Sequence, residues 1–416
     1  MPSSRSVRRC IAVSDAVTDS AMRVGVVGAG AMGAGIAQVA ALHGHPVVLA
    51  DAMPAAVARA KSGHAKALAR DIEKGRLSRE SADAVLARIT YVEGVDESSL
   101  AAFAGCGIVI EAIIEQLAAK QALFRALEAV VAPEAMLASN TSSLSIAALA
   151  GACARGERMV GVHFFNPAPI MPLVEIIPAI GTADAVRDAA RALVTSWKKV
   201  TVLAADTPGF LVNRVARPFY GEALRIQEEG IADIATIDWA MRTIGGFRMG
   251  PFELMDFIGH DVNFAVTRSV FEGMYHDPRY RPSIAQQRLL EAGWLGRKAG
   301  RGFYDHRDGA VTPSATEDAA LGQRIVDRIL AMLVNEATEA VHLRLASPED
   351  IELAMTTGVN YPRGLLAWGD AIGPATVLAQ LEALHADTGD MRYRPSVRLR
   401  QVVRAGTALR DGRRYD

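Results

Sequence analysis

A glycine-rich turn between a short apolar stretch and an apolar helix-like stretch constrains this fold more than any other feature. The turn is Gly28-Ala-Gly30-Ala-Met32-Gly33. Gly28 permits a tight turn, Gly30 allows a pyrophosphate to approach the backbone, and Gly33 lets the following helix pack on the strand. The amino terminus of that helix then faces the phosphates. The pattern predicts a strand–turn–helix unit that binds a dinucleotide, with these glycines and Met32 on the cofactor side.

An acid follows the next predicted strand, as this fold requires. Pro46 to Ala50 is predicted to be the strand, and Asp51 ends it. An acid at this distance from the glycine turn accepts hydrogen bonds from the adenosine ribose. Since its charge would repel a 2′-phosphate and no arginine follows it directly, we expect NAD rather than NADP.

One histidine and one carboxylate occupy an apolar, proline-rich stretch, VGVHFFNPAPIMPLVE, that begins at Val160. His163 is predicted on one short buried strand and Glu175 on the next. A carboxylate inside an apolar run is costly without a partner, and His163 is the nearest candidate. Such a pair would fix the tautomer of the imidazole and raise its basicity, as a general base requires. A core histidine capped by an acid is the alternative.

Polar side chains also follow two other predicted strands. Glu115 and Lys120 lie just beyond the apolar run from Gly107 to Ile114, and Ser142 belongs to the hydroxyl-rich end of the strand that starts at Met136. Because ligands bind at the carboxyl ends of parallel strands, Glu115 and Lys120 are candidate cofactor residues. The hydroxyl cluster caps the next helix in one interpretation and holds a substrate oxygen in the other.

A basic helical pair is predicted between Met53 and Arg88, with a break near Gly75. Lys74 is one of several lysines and arginines in it. These charges form either a solvated helical face or a handle for a phosphate-rich substrate, and spacing alone leaves both interpretations open.

The second half of the chain is predicted to be helical and internally repeated. Glu222, Gly250, Asp256 and Gly259 recur at one constant spacing as Glu336, Gly364, Asp370 and Gly373. Such a repeat predicts two copies of one helical module. The second copy is degenerate, since Asn213 of the first copy becomes Asp327, and we interpret it as structural packing.

The domain organisation follows from these patterns. We predict an α/β Rossmann-type NAD-binding domain at residues 23–206, then helical copy 1 at 207–307, a linker at 308–319 and degenerate helical copy 2 at 320–416. Residues 1–22 are predicted to be a disordered tail. The alternative is that the start codon is assigned too early and that Met22 is the real start.

Composition excludes several classes of protein. With 416 residues, 50% of them hydrophobic, and a net charge of -1, the chain offers no bulk attraction for nucleic acid or an anionic membrane. The uncharged stretch Val24–Ala50 contains glycines and a proline, so a buried strand–helix–strand is favoured over a membrane span. The cysteines Cys10, Cys106 and Cys153 form no metal-binding pattern, and they predict free thiols in a reducing compartment, hence the cytoplasm.

Together the motifs resemble those of the L-3-hydroxyacyl-CoA dehydrogenase family. The resemblance runs from Arg23 to Asp305 and continues through copy 2. It rests on GAGAMGAGIAQVAA, EAIIEQLAAK, SNTSSL, VGVHFFNPAPIMPLVE, DTPGFLVNR and GPFELMDFIG. A further run, GHDVNFAVTRSVF, resembles the subgroup that acts on 3-hydroxyadipyl-CoA in phenylacetate catabolism and its relatives that act on 3-hydroxybutyryl-CoA.

The resemblance implies an enzyme of fatty-acid β-oxidation type that uses NAD and an acyl-CoA. His163 would be the catalytic base and Glu175 its orienting partner, while Ser142 and Asn213 would hold the reacting oxygen. Asp51, Glu115 and Lys120 match cofactor positions.

The resemblance also places Lys74 where family members contact the CoA phosphates. Single-module relatives form homodimers through the helical domain, so a homodimer is possible here unless copy 2 already occupies that surface. A family member that oxidises a free hydroxy or sugar acid, and a non-catalytic NAD-binding protein, are the alternatives.

Overall fold

The computed structural model of the chain describes residues 22–411. Residues 1–21, which make up the predicted tail without Met22, and residues 412–416 at the end of copy 2 lie outside this range. One sheet of eight strands organises the first half. Most of its strands are nearly continuous apolar runs, as expected where helices cover both faces of a parallel sheet. They are β1 (Val24–Val27), β2 (Val47–Asp51), β3 (Ile89–Glu93), β4 (Ile108–Glu111), β5 (Met136–Ser139), β6 (Met159–Phe164), β7 (Leu173–Pro178) and β8 (Val200–Leu203).

The strand order is β3-β2-β1-β4-β5-β6-β7-β8. The first six positions show the order of a dinucleotide-binding sheet, and all strand pairs are parallel except β6 with β7. The carboxyl ends of β1, β2, β4, β5 and β6 therefore meet at one edge.

Helices pack on both faces of the sheet, over two separate clusters of buried apolar side chains. The helices are α1 (Ala31–Leu42), α2 (Pro54–Glu73), α3 (Arg79–Ala87), α4 (Glu97–Leu100), α5 (Leu117–Val130), α6 (Ile146–Ala150) and α7 (Asp184–Ser196). This arrangement confirms the predicted Rossmann-type fold of the first half.

Apart from two isolated antiparallel β-bridges between Gly296 and Asp305, the regular structure of the second half is helical within the described residues. Its first part contains α8 (Val212–Val215), α9 (Arg217–Glu228), α10 (Ile234–Thr243), α11 (Pro251–Ile258), α12 (His260–Gly273) and α13 (Ile284–Glu291). Its second part contains α14 (Ala319–His342), α15 (Pro348–Gly358), α16 (Leu365–Ile372), α17 (Pro374–Thr388) and α18 (Val397–Ala405). The equivalent glycines Gly259 and Gly373 both join two helices with a left-handed backbone, at φ 99° and 98°.

One difference between the two parts has a direct cause in the sequence. α14 is a single helix, whereas the equivalent stretch of the first part is divided into α8 and α9 at Ala216. Pro218 lies in the first turn of α9, where its missing N–H is tolerated, and Met332 holds the equivalent place inside α14. The division leaves α8 as a separate short turn beside the sheet.

The second helical part also packs against the end of the sheet. The Ala205 N–H donates to the Leu345 carbonyl at 2.8 Å, and the Leu203 N–H donates to Asp350 Oδ2 at 3.3 Å. A Cβ placed on Gly358 of α15 would stand 2.4 Å from Cδ2 of Leu173. The second copy therefore supports β7 and β8 directly.

One predicted boundary differs from the structure, and one strand was not predicted. The apolar run from Gly107 to Ile114 forms a strand only as far as Glu111, because the chain turns at the sheet edge. The sequence did not predict β3. This strand lies at the edge of the sheet, and its Thr90, Tyr91 and Glu93 interrupt the apolar run that would have indicated a strand.

Candidate active site

His163 and Glu175 form a cross-strand pair at the centre of the site. They are register partners in the antiparallel β6–β7 ladder, and His163 Nδ1 lies 2.6 Å from Glu175 Oε2. Glu175 is fully buried and His163 is 5% exposed. The rings of Phe165 and Phe210 lie 4.6 and 5.9 Å from the imidazole. The predicted pair is therefore confirmed as a contact, in a largely apolar setting.

The second oxygen of Glu175 is held by the start of the helical half. The N–H groups of Leu211 and Val212 donate to Oε1 at 3.1 and 2.8 Å. These bonds fix the orientation of the carboxylate, so that its other oxygen faces His163 Nδ1. Among residues 22–411 no hydrogen bond occupies His163 Nε2, so this nitrogen is the one available to a ligand.

Ser142 lies at the same edge of the sheet as His163. β5 and β6 are parallel, and Asn140 at the end of β5 accepts a hydrogen bond from the Phe164 N–H at 2.8 Å. Ser142 follows Asn140 by two residues. Its N–H donates to Glu115 Oε1 at 2.9 Å, which orients the loop that carries it.

Asn213 lies on α8, directly after the two residues that bind Glu175. Its side chain is half-buried, and within the described part of the chain its amide makes no hydrogen bond. The structure therefore brings Asn213 to the His163–Glu175 pair through Val212, with its amide available to a ligand.

Glu115 and Lys120 belong to a charged cluster that begins with Glu111. Lys120 Nζ lies 2.5 Å from Glu111 Oε1 and 3.1 Å from Glu115 Oε2, and the lysine side chain is only 1% exposed. Glu115 also accepts hydrogen bonds from Thr141 and Ser143. Burial opposes ionisation of Glu115, but Lys120 and these hydroxyls outweigh it and keep the pKa of Glu115 below its ordinary value. The role of Glu111 was missed, although a carboxylate in an apolar strand nine residues before a lysine was the available signal.

The glycine turn has the shape that a dinucleotide requires. A Cβ on Gly28, whose φ is 106°, would stand 2.4 Å from the Ala112 carbonyl oxygen, and one on Gly33 would stand 1.7 Å from the Gly28 oxygen. At Gly30, by contrast, no atom of the described chain lies within 4 Å of that point. Gly28 and Gly33 are needed for the turn itself, and Gly30 leaves the amino terminus of α1, next to Met32, open to a pyrophosphate.

Asp51 lies at the carboxyl end of β2 beside this turn. Its Oδ2 accepts from the Ala29 N–H at 2.7 Å and its Oδ1 from the Met53 N–H at 2.8 Å. Each carboxylate oxygen retains a lone pair for a ribose hydroxyl. The turn and Asp51 together fit an NAD molecule.

Lys74 lies in a groove of about 830 Å³ beside the glycine turn. α1, α2 and the loop at Pro167–Ile170 line the groove. Its basic residues are Arg59, His64, Arg70, Lys74 and Arg76. Arg59 and His64 were not singled out from the sequence, because only the helical geometry turns them toward the groove.

Residues 22–411 contain neither a metal-binding cluster nor a membrane-spanning helix. No group of three or more His, Cys, Asp or Glu side chains is arranged to hold a metal ion there. None of the helices in that range has the length and apolarity to cross a membrane.

Comparison with known proteins identifies the family. Residues 23–207 match the model of the 3-hydroxyacyl-CoA dehydrogenase NAD-binding domain, and residues 209–306 and 325–414 match the model of the C-terminal domain. The chain belongs to the 3-hydroxyacyl-CoA dehydrogenase family. It is therefore an NAD-dependent dehydrogenase, as the motifs predicted.

Individual relatives cover most of the chain. A 3-hydroxyadipyl-CoA dehydrogenase of Escherichia coli K12 is 39% identical over 91% of this chain and 96% of its own length. A 3-hydroxybutyryl-CoA dehydrogenase of Bradyrhizobium diazoefficiens is 43% identical over 70% of this chain and 98% of its own. The crystal structure of a 3-hydroxybutyryl-CoA dehydrogenase from Escherichia coli K12 superposes with a TM-score of 0.86 at 37% identity, covering 93% of this chain and 99% of that one.

Proposed function

We propose that the protein oxidises an L-3-hydroxyacyl-CoA to the 3-oxoacyl-CoA, with His163 as the general base. The His163–Glu175 hydrogen bond carries the proposal, because it leaves Nε2 as the free basic nitrogen of a buried imidazole. The bound NAD supplies the acceptor for the hydride that leaves C3. His163 Nε2 takes the hydroxyl proton, and Glu175 stabilises the resulting imidazolium.

Ser142 and Asn213 hold the reacting oxygen in this proposal. Ser142 lies two residues after Asn140, which binds the strand of His163, and Asn213 directly follows Val212, which binds Glu175. Fixed donors aimed at an oxygen on which charge develops stabilise the transition state. In the reducing direction the same donors bind the carbonyl oxygen and His163 returns the proton.

Some of the cofactor residues contact NAD in this proposal, and others orient the residues around it. Gly28, Gly30, Met32 and Gly33 form the pyrophosphate turn, and Asp51 binds the ribose. Glu115 orients the Thr141–Ser143 loop on the cofactor side, while the buried Lys120 acts through Glu115.

The substrate is held at its CoA end by the basic groove. Lys74 and its neighbours lie beside the glycine turn in a space large enough for a nucleotide handle. The acyl part is 3-hydroxybutyryl or 3-hydroxyadipyl, in keeping with the relatives, and places the enzyme in β-oxidation-type or phenylacetate catabolism in the cytoplasm.

Copy 2 takes the place of a partner subunit in this proposal. With domains at 23–206, 207–307 and 320–416 joined by the linker 308–319, the surface for a homodimer through the helical domains is already occupied within one chain. We therefore expect a monomer in sedimentation experiments, and a stable homodimer would contradict this part of the proposal.

The test is NADH formation with L-3-hydroxybutyryl-CoA and L-3-hydroxyadipyl-CoA, with NADP as a control. His163→Ala should lower kcat by about 100-fold or more while NAD binding is retained, which is the scale of general-base loss. Glu175→Gln should lower kcat in the same direction. Turnover only with free hydroxy acids, or cofactor binding with no turnover, would overturn the proposal.

A further inference from the structure

Arg217 is a buried cation next to the proposed site. It begins α9, is 7% exposed, and its Nε–H donates to the Asn213 carbonyl at 2.7 Å. One terminal nitrogen donates to Thr267 Oγ1 at 3.2 Å, and the guanidinium lies 4.8 Å from the ring centre of Tyr220. Within residues 22–411, its hydrogen bonds and its ring contact are thus all to neutral groups.

No acid within residues 22–411 pairs with Arg217. Three other strongly buried arginines of the helical half do bind an acid: Arg214 and Arg279 bind Glu336, and Arg392 binds Asp390. Burial, only partly offset by nearby tyrosines, lowers the pKa of Arg217. A buried charge without a counter-charge is costly, so we look for the counter-charge in a ligand and not in the protein.

The second helical copy shows that the module packs without this charge. At the constant repeat spacing, Ala331 stands in place of Arg217 and Leu381 in place of Thr267. Both are buried, at 1% and 0% exposure. The cation and its hydroxyl partner are therefore confined to the copy that carries the site.

The position of Arg217 relates it to the reacting centre. It follows Asn213 by four residues across the break at Ala216, and its Nε–H reaches back to the Asn213 carbonyl at 2.7 Å. Helical side chains lean toward the amino terminus, and the bond to the Asn213 carbonyl shows that this one does. The guanidinium consequently lies over the turn that carries Asn213.

We propose that Arg217 binds a carboxylate at the far end of the acyl chain, so that the preferred substrates are 3-hydroxyacyl thioesters with a terminal carboxyl group. This role rests on the proposed function, because it presumes that Asn213 holds the oxygen on C3. The terminal carboxylate of a six-carbon chain lies a few bonds beyond C3, on the scale of one helical turn. The second terminal nitrogen of Arg217 makes no hydrogen bond to the described chain, so its N–H donors are available to a planar carboxylate.

Thr267 belongs to the run GHDVNFAVTRSVF on α12, which the dehydrogenase chemistry leaves without a role. Its hydroxyl donates to the Asn263 carbonyl at 3.0 Å and accepts from Arg217, so it fixes the direction of the guanidinium. Arg217 therefore binds the substrate, and Thr267 is a positioning residue.

The experiment compares two CoA esters of equal chain length, L-3-hydroxyadipyl-CoA and L-3-hydroxyhexanoyl-CoA. We expect the wild-type enzyme to prefer the adipyl ester and Arg217→Met to lower that preference in kcat/KM by about 100-fold, mainly through KM. Arg217→Lys should retain part of the preference, since it keeps the charge without the planar fork. Arg225→Met on the same helix, where Arg225 pairs with Glu228, is the matched control and should leave the preference unchanged.

Each alternative outcome is distinct. An equal loss with both esters, or a wild-type preference for the hexanoyl ester, overturns the role of Arg217 while the dehydrogenase function stands. Oxidation of neither ester by the wild-type enzyme overturns the proposed function and this role with it. If Arg217→Met fails to fold, Thr267→Val should lower the same preference by a smaller factor, and an unchanged ratio there overturns the role.

Discussion

Glu222 and Glu336 hold equivalent places in the two helical copies, and each is bound by side chains of the other copy. Arg328 Nε and the Tyr393 hydroxyl donate to Glu222 Oε1 at 2.6 and 2.7 Å. In return, Arg214 Nε and the Tyr280 hydroxyl donate to Glu336 Oε1. Both glutamates are 2% exposed. The copies therefore meet through a reciprocal, nearly two-fold contact of the kind that two identical subunits form.

Glu336→Gln should destabilise the protein strongly. It leaves Arg214 buried beside a neutral partner, and breaking a buried ion pair costs about 3–5 kcal/mol in the free energy of unfolding. Urea denaturation followed by circular dichroism measures the loss. Glu382→Gln, in an exposed pair with Arg400, is the control and should change stability by less than about 1 kcal/mol. Equal midpoints for both variants would show that the reciprocal contact adds nothing to stability.

Gly30→Ala and Gly33→Ala should separate cofactor binding from folding. Gly30 has an ordinary φ of -67° and open space around it, so alanine there should leave the melting temperature of the free protein unchanged. It should nevertheless abolish the thermal shift that NAD produces, because the methyl group occupies the pyrophosphate space. Gly33→Ala should lower the melting temperature without any cofactor, since its methyl group would overlap the Gly28 carbonyl. An NAD-induced shift retained in Gly30→Ala would argue against this turn as the phosphate site.

Asp51→Asn should weaken NAD binding by about tenfold and relax the bias against NADP. The amide keeps an oxygen acceptor for the Ala29 or Met53 N–H but loses the charge, and a hydrogen bond to a charged group contributes about 1.5–3 kcal/mol. The ratio of kcat/KM for NAD to that for NADP measures the effect. An unaltered ratio would remove Asp51 from the ribose site.

Lys74→Ala should raise the KM for a CoA ester by about tenfold, because it removes one charge from the phosphate groove. The KM for a truncated thioester without the nucleotide handle should not change. Lys66→Ala, an exposed lysine of α2 outside the groove lining, is the matched control. A parallel rise in KM for both esters with Lys74→Ala would place the lysine elsewhere than on the CoA phosphates.

Glu115 should make stability fall on acidification. Its pKa is lowered in the folded state, so the folded protein binds this proton less tightly than the unfolded chain does. The stabilisation is therefore present above the ordinary pKa of a glutamate, 4.5, and is lost as the pH falls below it through the folded pKa. Glu115→Gln should show a shallower loss of stability over that acidic range, measured by thermal denaturation at a series of pH values. Identical slopes would mean that Glu115 is not held by Lys120 and the Thr141–Ser143 loop in solution.

Much of the fold was predictable from local patterns. The glycine turn with Asp51 indicated the sheet, since its conformation depends on short-range sterics that no other residue satisfies. The pairing of His163 with Glu175 also followed from the sequence, because a carboxylate in an apolar run needs a nearby partner. The repeat likewise predicted two helical copies.

Other features depended on contacts between residues far apart in the chain. The bonds from Leu211 and Val212 to Glu175 cross the boundary between the sheet and the helices. The absence of an acid around Arg217 can be recognised only when every neighbouring element within residues 22–411 is in place.

The sequence by itself determined the fold class, the cofactor and the candidate base, because these depend on local spacing and on the cost of burying charge. The tertiary structure alone decided which charges are paired. It gave Glu222 and Glu336 their arginines from the opposite copy and left Arg217 with none among the described residues. Burial and distance in three dimensions set those electrostatic energies, and neither quantity is encoded at any single position of the chain.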